Sequence, residues 1–451
     1  MAQASVCSKI RTSRSGRQAK QTYLERHGAG VHRAHRGMQM KPLRIALALP
    51  DPPLPLGTAA GRVFYALLRG LAERGHRVAA FVAYAKPEEM LATLRLFPAP
   101  LYDIRCYPRP HRAGIQAKLR TIRRPFSYTF SDEFRDDLCR RLDTFDIVHL
   151  EDLFGGWLGI GHPEQCLLSI LYLPSVDFRG TLPLTPRQIL ERLLMKRAEK
   201  LLLRSFRFFR TVTPELAGPV RQANFAADII PIPISLDLGW YPYVADDNRP
   251  RDRTISLIGS MGWRPSYSAA VRLLTRLYPR IKRHLPDARF RIVGWAARKT
   301  LGKYLHLPDV EILENVPDAR PFFERATVLL YAPEQGSGAK VKVFEAMALG
   351  VPVVTTSSGV EGLPVVDGVE AKVADDDEGL VERTVALLCD RPLQNRQRRA
   401  ARDMLDANCN PALTAESLEQ VYARMLQPRK ENVGGDQQQR GPAFEMVDYH
   451  R

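Results

Sequence analysis

From Leu43 onward the chain alternates short apolar runs with segments whose apolar residues recur at helical spacing, and it does so twice in succession. That alternation prescribes a parallel sheet wound by helices, because parallel strands need a long crossover and a helix is the usual one. Arg44 to Leu49 reads as the first strand and Pro50 to Gly61 as a Pro/Gly loop. Val63, Phe64, Leu67, Leu68 and Leu71 form the buried stripe of a helix that Gly75 stops. Val78 to Tyr84, Asp146 to Leu150, Leu167 to Leu173, Thr211 to Thr213 and Ile229 to Ile234 continue as strands. The polar, proline-bearing stretch Tyr241 to Arg253 then reads as a linker. A second series follows: strands at Thr254 to Gly259, Arg289 to Gly294, Thr327 to Tyr331 and Val351 to Thr355, and a helix at Ser268 to His284. The expectation is an α/β protein of two doubly wound, Rossmann-like domains, 41–245 and 246–410, facing across a cleft, with a C-terminal helix over 411–427. Ligands of such sheets sit beyond the carboxyl ends of the strands, which makes the cleft the place to look for chemistry.

A chain of 451 residues, 45% hydrophobic, can bury two cores. No apolar run approaches the roughly 20 residues a spanning helix needs, so a soluble or membrane-peripheral protein is expected. Six cysteines are scattered without a CxxC pair, which argues against a zinc site or a disulfide framework and suits a reducing cytoplasm. The net charge of +17 is uneven: residues 1–40 hold eight Lys/Arg against Glu25 alone. That tail lacks the apolar core of a secretory signal and could pass for a transit peptide; translation from Met40, where a strand opens at once, is the plainer reading. Residues 428–451, with Gly-Gly and Gln-Gln-Gln, read as a second disordered tail.

Residues 331–355 concentrate the chemistry. Tyr331 ends a strand, and Val341, Phe344, Met347 and Ala348 recur at helical spacing, so Gly336-Ser337-Gly338 is a strand-to-helix loop. Such a loop offers backbone N–H groups and a helix N-terminus to an anion, and its glycines allow close approach. Lys340 and Lys342 add charge. Lys342 and Glu345, three apart on one face, could share a ligand or pair with each other. Spacing alone serves a diphosphate cradle and an ordinary surface helix equally well.

The run Gly336 to Thr355, followed by Gly359-Val360-Glu361-Gly362-Leu363, resembles the donor-binding segment of group 1 (family four) retaining glycosyltransferases. Ile258-Gly259-Ser260-Met261, Arg291-Ile292-Val293-Gly294, Leu71 to Val78 and Ile230 to Ile234 agree with it, and the resemblance extends over 43–427. It implies the GT-B architecture and a nucleoside-diphosphate sugar as donor substrate, with no separate cofactor. The family usually carries two glutamates eight positions apart, the first on the transferred sugar and the second on the ribose. Glu345 takes the second position. The first falls on Ser337, with Glu334 as a possible substitute. The run is closest to the subset with Gly-x-Gly-x-Lys-x-Lys-x-x-Glu, which places Lys340 and Lys342 at the diphosphate. In the loop after the first strand of the second half, beyond Gly259, Arg264 is the one cation available where many members have two. Preorganised cations and N–H groups would stabilise the charge developing on the leaving diphosphate. No convincing Asp-x-Asp dyad is present, Asp375-Asp376-Asp377 reading as a helix cap, so metal-independent, retaining transfer is expected.

On the acceptor side, Pro50 to Gly61, with Gly57 and Gly61, resembles the family's first glycine loop. His149 and Glu151 end a strand, and Asp177 could orient or deprotonate an acceptor hydroxyl; core packing and turn capping are the plainer roles for His149 and Asp177. Basic tracts over Arg105 to Arg124 and Arg187 to Arg210, the latter a long helix with interleaved Leu and Phe, suit an anionic membrane and a lipid-linked or glycan acceptor, although a leucine stripe facing the core would account for the helix as well. Work in polysaccharide or glycolipid synthesis on the inner face of the membrane follows as an expectation. The competing readings are a sugar-nucleotide hydrolase, an epimerase or an inactive relative of the same fold. A basic nucleic-acid binder is disfavoured because no recognition motif accompanies the charge.

Overall fold

The computed structural model describes residues 40–110, 122–178 and 185–427. The two expected tails, 1–39 and 428–451, and the basic residues Arg112, Lys118 and Arg120 lie outside them. Seven strands form the first sheet: β1 (Arg44–Leu49), β2 (Arg77–Tyr84), β3 (Asp103–Pro108), β4 (Ile147–Leu150), β5 (Cys166–Ile170), β6 (Phe208–Thr211) and β7 (Asp228–Pro231). They are parallel and ordered β3-β2-β1-β4-β5-β6-β7. Six make the second: β8 (Thr254–Ile258), β9 (Arg289–Gly294), β10 (Val310–Glu314), β11 (Val328–Tyr331), β12 (Val353–Thr355) and β13 (Lys372–Val373), ordered β10-β9-β8-β11-β12-β13. Both orders reverse direction once, between β1 and β4 and between β8 and β11. The crevice at such a switch point is where doubly wound sheets hold ligands. The doubly wound α/β expectation therefore holds.

Seven helices carry the description that follows: α1 (Ala59–Glu73), α2 (Pro186–Ser205), α3 (Arg264–Arg272), α4 (Val341–Ala348), α5 (Asp377–Cys389), α6 (Arg391–Asn408) and α7 (Pro411–Met425). The central strands are buried on both faces and read as continuous apolar runs, Ile45 to Leu49 and Val328 to Tyr331 being fully enclosed. Asp376 caps α5 by accepting the N–H of Gly379 at 2.8 Å, the role expected of the aspartate triplet. No helix of the described residues is long and apolar enough to cross a membrane.

Three features differ from the sequence expectation. The helix over 187–210 ends at Ser205, because Phe206, Phe208 and Phe209 turn into the core and open β6 three residues before the expected strand. Strands β3, β10 and β13 were not anticipated. The stretch Tyr241 to Arg253 is no loose tether: Arg402 Nη1 donates to the carbonyl oxygens of Tyr241 and Ala348, both at 2.8 Å, Arg398 binds Asp246 at 2.9 Å, and Arg391 donates to Pro250 O at 2.9 Å. Helix α6 thus straps the connecting segment to the second domain.

The chain finally returns to where it began. Helix α7 lays Leu418, Val421 and Tyr422 into the cluster formed by Phe64, Leu67, Leu71, Leu47 and Ile147 of the first domain. Arg74 binds Glu419 at 2.6 Å and His76 Nε2 lies 3.1 Å from the same carboxylate.

Candidate active site

The loops at the two switch points face each other, and the residues of the 336–345 stretch gather there. Gly259 follows β8 with φ +154°, and a Cβ at that position would meet the Lys342 Cε at 2.5 Å. The missing side chain is the channel in which the Lys342 stem runs. Its ammonium ends 4.7 Å from the Trp263 ring centroid and 4.4 Å from that of Tyr331. Two aromatic faces attract a cation but satisfy none of its N–H bonds, and no carboxylate of the described residues pairs with it. Burial pushes the ammonium down to about 7, the nearby charge of Lys340 adding to the effect and Glu345 opposing it. Lys340 is more fully engaged. It donates to Gly338 O and lies 3.3 Å from Glu361, whose other oxygen accepts from Thr213 of the first domain at 3.1 Å. Burial lowers its ammonium too, against the pull of Glu361.

Glu345, one turn into α4, pairs across the cleft with Arg62 Nη1 at 2.5 Å rather than with Lys342. Burial raises its carboxyl, which Arg62, Lys342 and Tyr241 counter. Arg62 arrives from the first turn of α1, which Thr58 caps by accepting the N–H of Gly61 at 3.0 Å. Gly57 and Gly61 shape the loop entering that turn, a Cβ on Gly61 falling 2.5 Å from Pro52 O. Gly338 has φ +73°, and a Cβ there would lie 1.9 Å from the carbonyl oxygen of Leu171 in the first domain. Backbone thus meets backbone across the cleft. Beside it Ser337 binds Asp177: its N–H and its hydroxyl both donate to Oδ1, at 2.6 and 2.7 Å, and its Oγ accepts the N–H of Leu173 at 2.9 Å. Asp177 is therefore fastened to the 336–338 loop; burial raises its carboxyl and the Ser337 bonds oppose that. Asp177 Oδ2, Ser266 Oγ and Tyr331 Oη, all buried, have no hydrogen-bond partner among the described residues.

Other expected site residues lie elsewhere. His149 is wholly buried between Tyr422 Oη and Ser169 Oγ, each at 2.8 Å, and Glu151 is buried against Arg210 at 3.0 Å. Both ring nitrogens and Glu151 Oε1 are committed to joining β4, β5, β6 and α7, so these two serve the core rather than the cleft. Burial keeps the His149 ring on the neutral side. Glu334 pairs at the surface with Arg276 at 3.1 Å and is 57% exposed, so it does not take the place of the missing glutamate. Arg264 sits half-buried at the start of α3, its guanidinium depressed by burial and by Arg192. The tract from Arg105 is partly internal, with Arg109 on Asp51 at 2.5 Å and Arg105 on Asp103 at 3.2 Å.

Four residues of the cleft escaped sequence reasoning: Arg62, Trp263, Tyr331 and Asp152. Asp152 follows β4 at the first switch point with φ +69°, a conformation a non-glycine residue holds only at a cost of about 1–3 kcal/mol. Burial, helped by Asp51 and Glu151, pushes its carboxyl up to about 7.

Two switch-point crevices closed face to face over a Gly-rich loop followed by a lysine-bearing helix define a protein of the GT-B fold. Solved structures of that fold superimpose over most of the chain. Sucrose-phosphate synthase from Thermosynechococcus elongatus aligns with a TM-score of 0.64 at 18% identity, over 85% of this chain and 99% of its own. Anabaena HepE in complex with UDP and glucose gives 0.60 at 11%, over 85% and 100%. A glycosyltransferase from Rickettsia africae ESF-5 gives 0.57 at 12%, over 86% and 100%. Residues 252–390, the greater part of the second domain, match the family described as glycosyl transferases group 1. No curated protein sequence matches the chain.

Proposed function

We propose that the protein transfers a hexose from a nucleoside diphosphate to a hydroxyl of a glycan or lipid-linked acceptor, with retention of anomeric configuration and without a metal. The observation that carries this reading is Lys342, a buried ammonium paired with no carboxylate of the described residues, in the first turn of the helix that follows a Gly-rich loop. A group so placed is costly until an anion reaches it. In the transfer the acceptor oxygen bonds the anomeric carbon as the bond to the diphosphate breaks. The hydroxyl proton passes to the departing phosphate oxygen, whose charge Lys342, Lys340 and the N-terminus of α4 stabilise. HepE holds UDP and UDP-glucose, which makes uridine nucleotides the first donors to test. Calorimetry with UDP-, GDP- and ADP-linked hexoses is expected to find one that binds, and Glu345→Gln to weaken it about tenfold by loosening the ribose contact. If no nucleotide sugar binds, the reading fails.

The acceptor reading rests on α2. Its C-terminal half buries Leu202 and Leu203, but Ile189, Leu190 and Leu193 are 46, 56 and 60% exposed, among Arg187, Lys196, Arg197 and Lys200. Ile189, Leu190 and Leu193 therefore face outward and not into the core. Exposed aliphatic side chains within a basic helix suit the boundary of an anionic bilayer on the cytoplasmic side. The protein is expected to sediment with phosphatidylglycerol vesicles at low salt. Leu190→Asp combined with Leu193→Asp should reduce that binding by roughly tenfold or more and leave donor affinity unchanged.

A further inference from the structure

A carboxylate with one oxygen occupied and one idle lies between the facing loops. Asp177, 2% exposed, ends a short helical turn (Pro174–Asp177) of the first domain. Its Oδ1 accepts two bonds from Ser337, which fix the plane of the group. Its Oδ2 is buried and has no hydrogen-bond partner among the described residues. An idle carboxylate oxygen in such a place calls for a donor. The surroundings indicate which: Lys340 and the Trp263 indole both stabilise the charged carboxylate, and the same indole faces Lys342. The oxygen therefore borders the place assigned to the diphosphate. A phosphate oxygen would be repelled there; a neutral hydroxyl one residue's breadth from the phosphate would not.

Resting on the donor-site reading above, we propose that Asp177 Oδ2 accepts a hydroxyl of the transferred sugar, so that the first domain supplies the carboxylate which the donor helix lacks at Ser337. Ser337 then has a different task from the glutamate expected at its position. It contacts no sugar and instead aims the carboxylate of the opposite domain. Donor sugar recognition and domain closure become one event, because the contact exists only while Ser337 and Asp177 are joined.

The test compares diphosphates with their sugar conjugates on the full chain: UDP with UDP-glucose, GDP with GDP-mannose and ADP with ADP-glucose, by calorimetry. The wild-type protein is expected to bind one conjugate more tightly than its parent diphosphate. Asp177→Asn, which keeps the shape and an acceptor for Ser337, should lose that sugar increment, about tenfold, while affinity for the parent diphosphate stays within about threefold. Ser337→Ala retains the carboxylate and should retain part of the increment. Equal weakening of both ligands in Asp177→Asn would mean a merely structural clasp and overturn the proposal. Tighter diphosphate binding in that variant would mean that Asp177 occupies the phosphate position itself, and would overturn it as well. Should the wild type bind none of the diphosphates, the donor reading falls first and this inference with it.

Discussion

Lys342→Met is expected to abolish most sugar transfer and, at the same time, to make the protein more stable. The methionine keeps an unbranched stem in the channel over Gly259 and places a thioether between Trp263 and Tyr331, where an ammonium now stands unpaired. Transfer should fall roughly 10²–10³-fold in kcat/KM, the loss typical of one preorganised group that stabilises developing charge. Stability at neutral pH should rise by roughly 1–4 kcal/mol, the range found when buried ion pairs are replaced by apolar groups of similar volume. Denaturant unfolding beside initial-rate kinetics checks both halves, and a variant that keeps its activity removes Lys342 from the diphosphate site. The pH dependence has a definite sign. The ammonium titrates near 10.5 in the unfolded chain and at about 7 in the folded one. Between those values the unfolded chain holds the extra proton, so stability rises with pH across this window. A bound diphosphate favours the charged form. Donor binding above pH 7 must therefore take up a proton, and affinity should weaken as pH rises. Calorimetry in buffers of different ionisation enthalpy measures the uptake directly.

Gly338→Ala is expected to leave both domains folded and to prevent them from forming the site together. A left-handed residue other than glycine costs about 1 kcal/mol, a modest effect. The added methyl, however, would stand 1.9 Å from the Leu171 carbonyl oxygen, which belongs to backbone and cannot rotate away. The domains must separate, and the bonds from Ser337 to Asp177 and Leu173 break with them. A misplacement of about 1 Å at a reacting centre can cost on the order of 10²-fold in rate, and a loss of that size is expected in donor turnover. The melting temperature should move only slightly because neither core is touched. A variant with normal turnover would show that closure over this loop is not required.

The parts of the fold legible in the sequence are those where both faces are buried. Strands β1, β2, β8 and β11 stand in the middle of their sheets and spell continuous apolar runs. Strands β3, β10 and β13 were missed because each is an edge: Asp103 to Pro108 and Val310 to Glu314 carry charge on a half-exposed surface and lack the run that marks a central strand. Phe206 to Arg210 reads as the end of a helix because a few aromatics among arginines carry no period of their own. The site divides in the same way. The glycines and lysines of 336–342 lie close together in the sequence, and their local pattern announces them. Arg62 with Glu345, and Asp177 with Ser337, are partners 283 and 160 positions apart. Nothing local to Arg62, or to Trp263 and Tyr331, distinguishes a cage or a clasp from an ordinary surface or core residue. His149 and Glu151 erred in the opposite direction. Polar residues at a strand end suggest chemistry, but a buried hydrogen-bonded network also needs polar residues, and only the presence of Tyr422 and Arg210 reveals which it is.

Helix α7 has a consequence for how the protein is made. The first domain takes its last layer from the final described helix of the chain, through Leu418, Tyr422 and Glu419. During synthesis the second domain therefore emerges whole and can fold while its elder neighbour still waits with an open flank over Phe64, Leu67 and His149. Birth order and completion order are reversed, and a ribosome that stalls after residue 410 leaves behind a finished second domain tied to an unfinished first one, a natural client for chaperones.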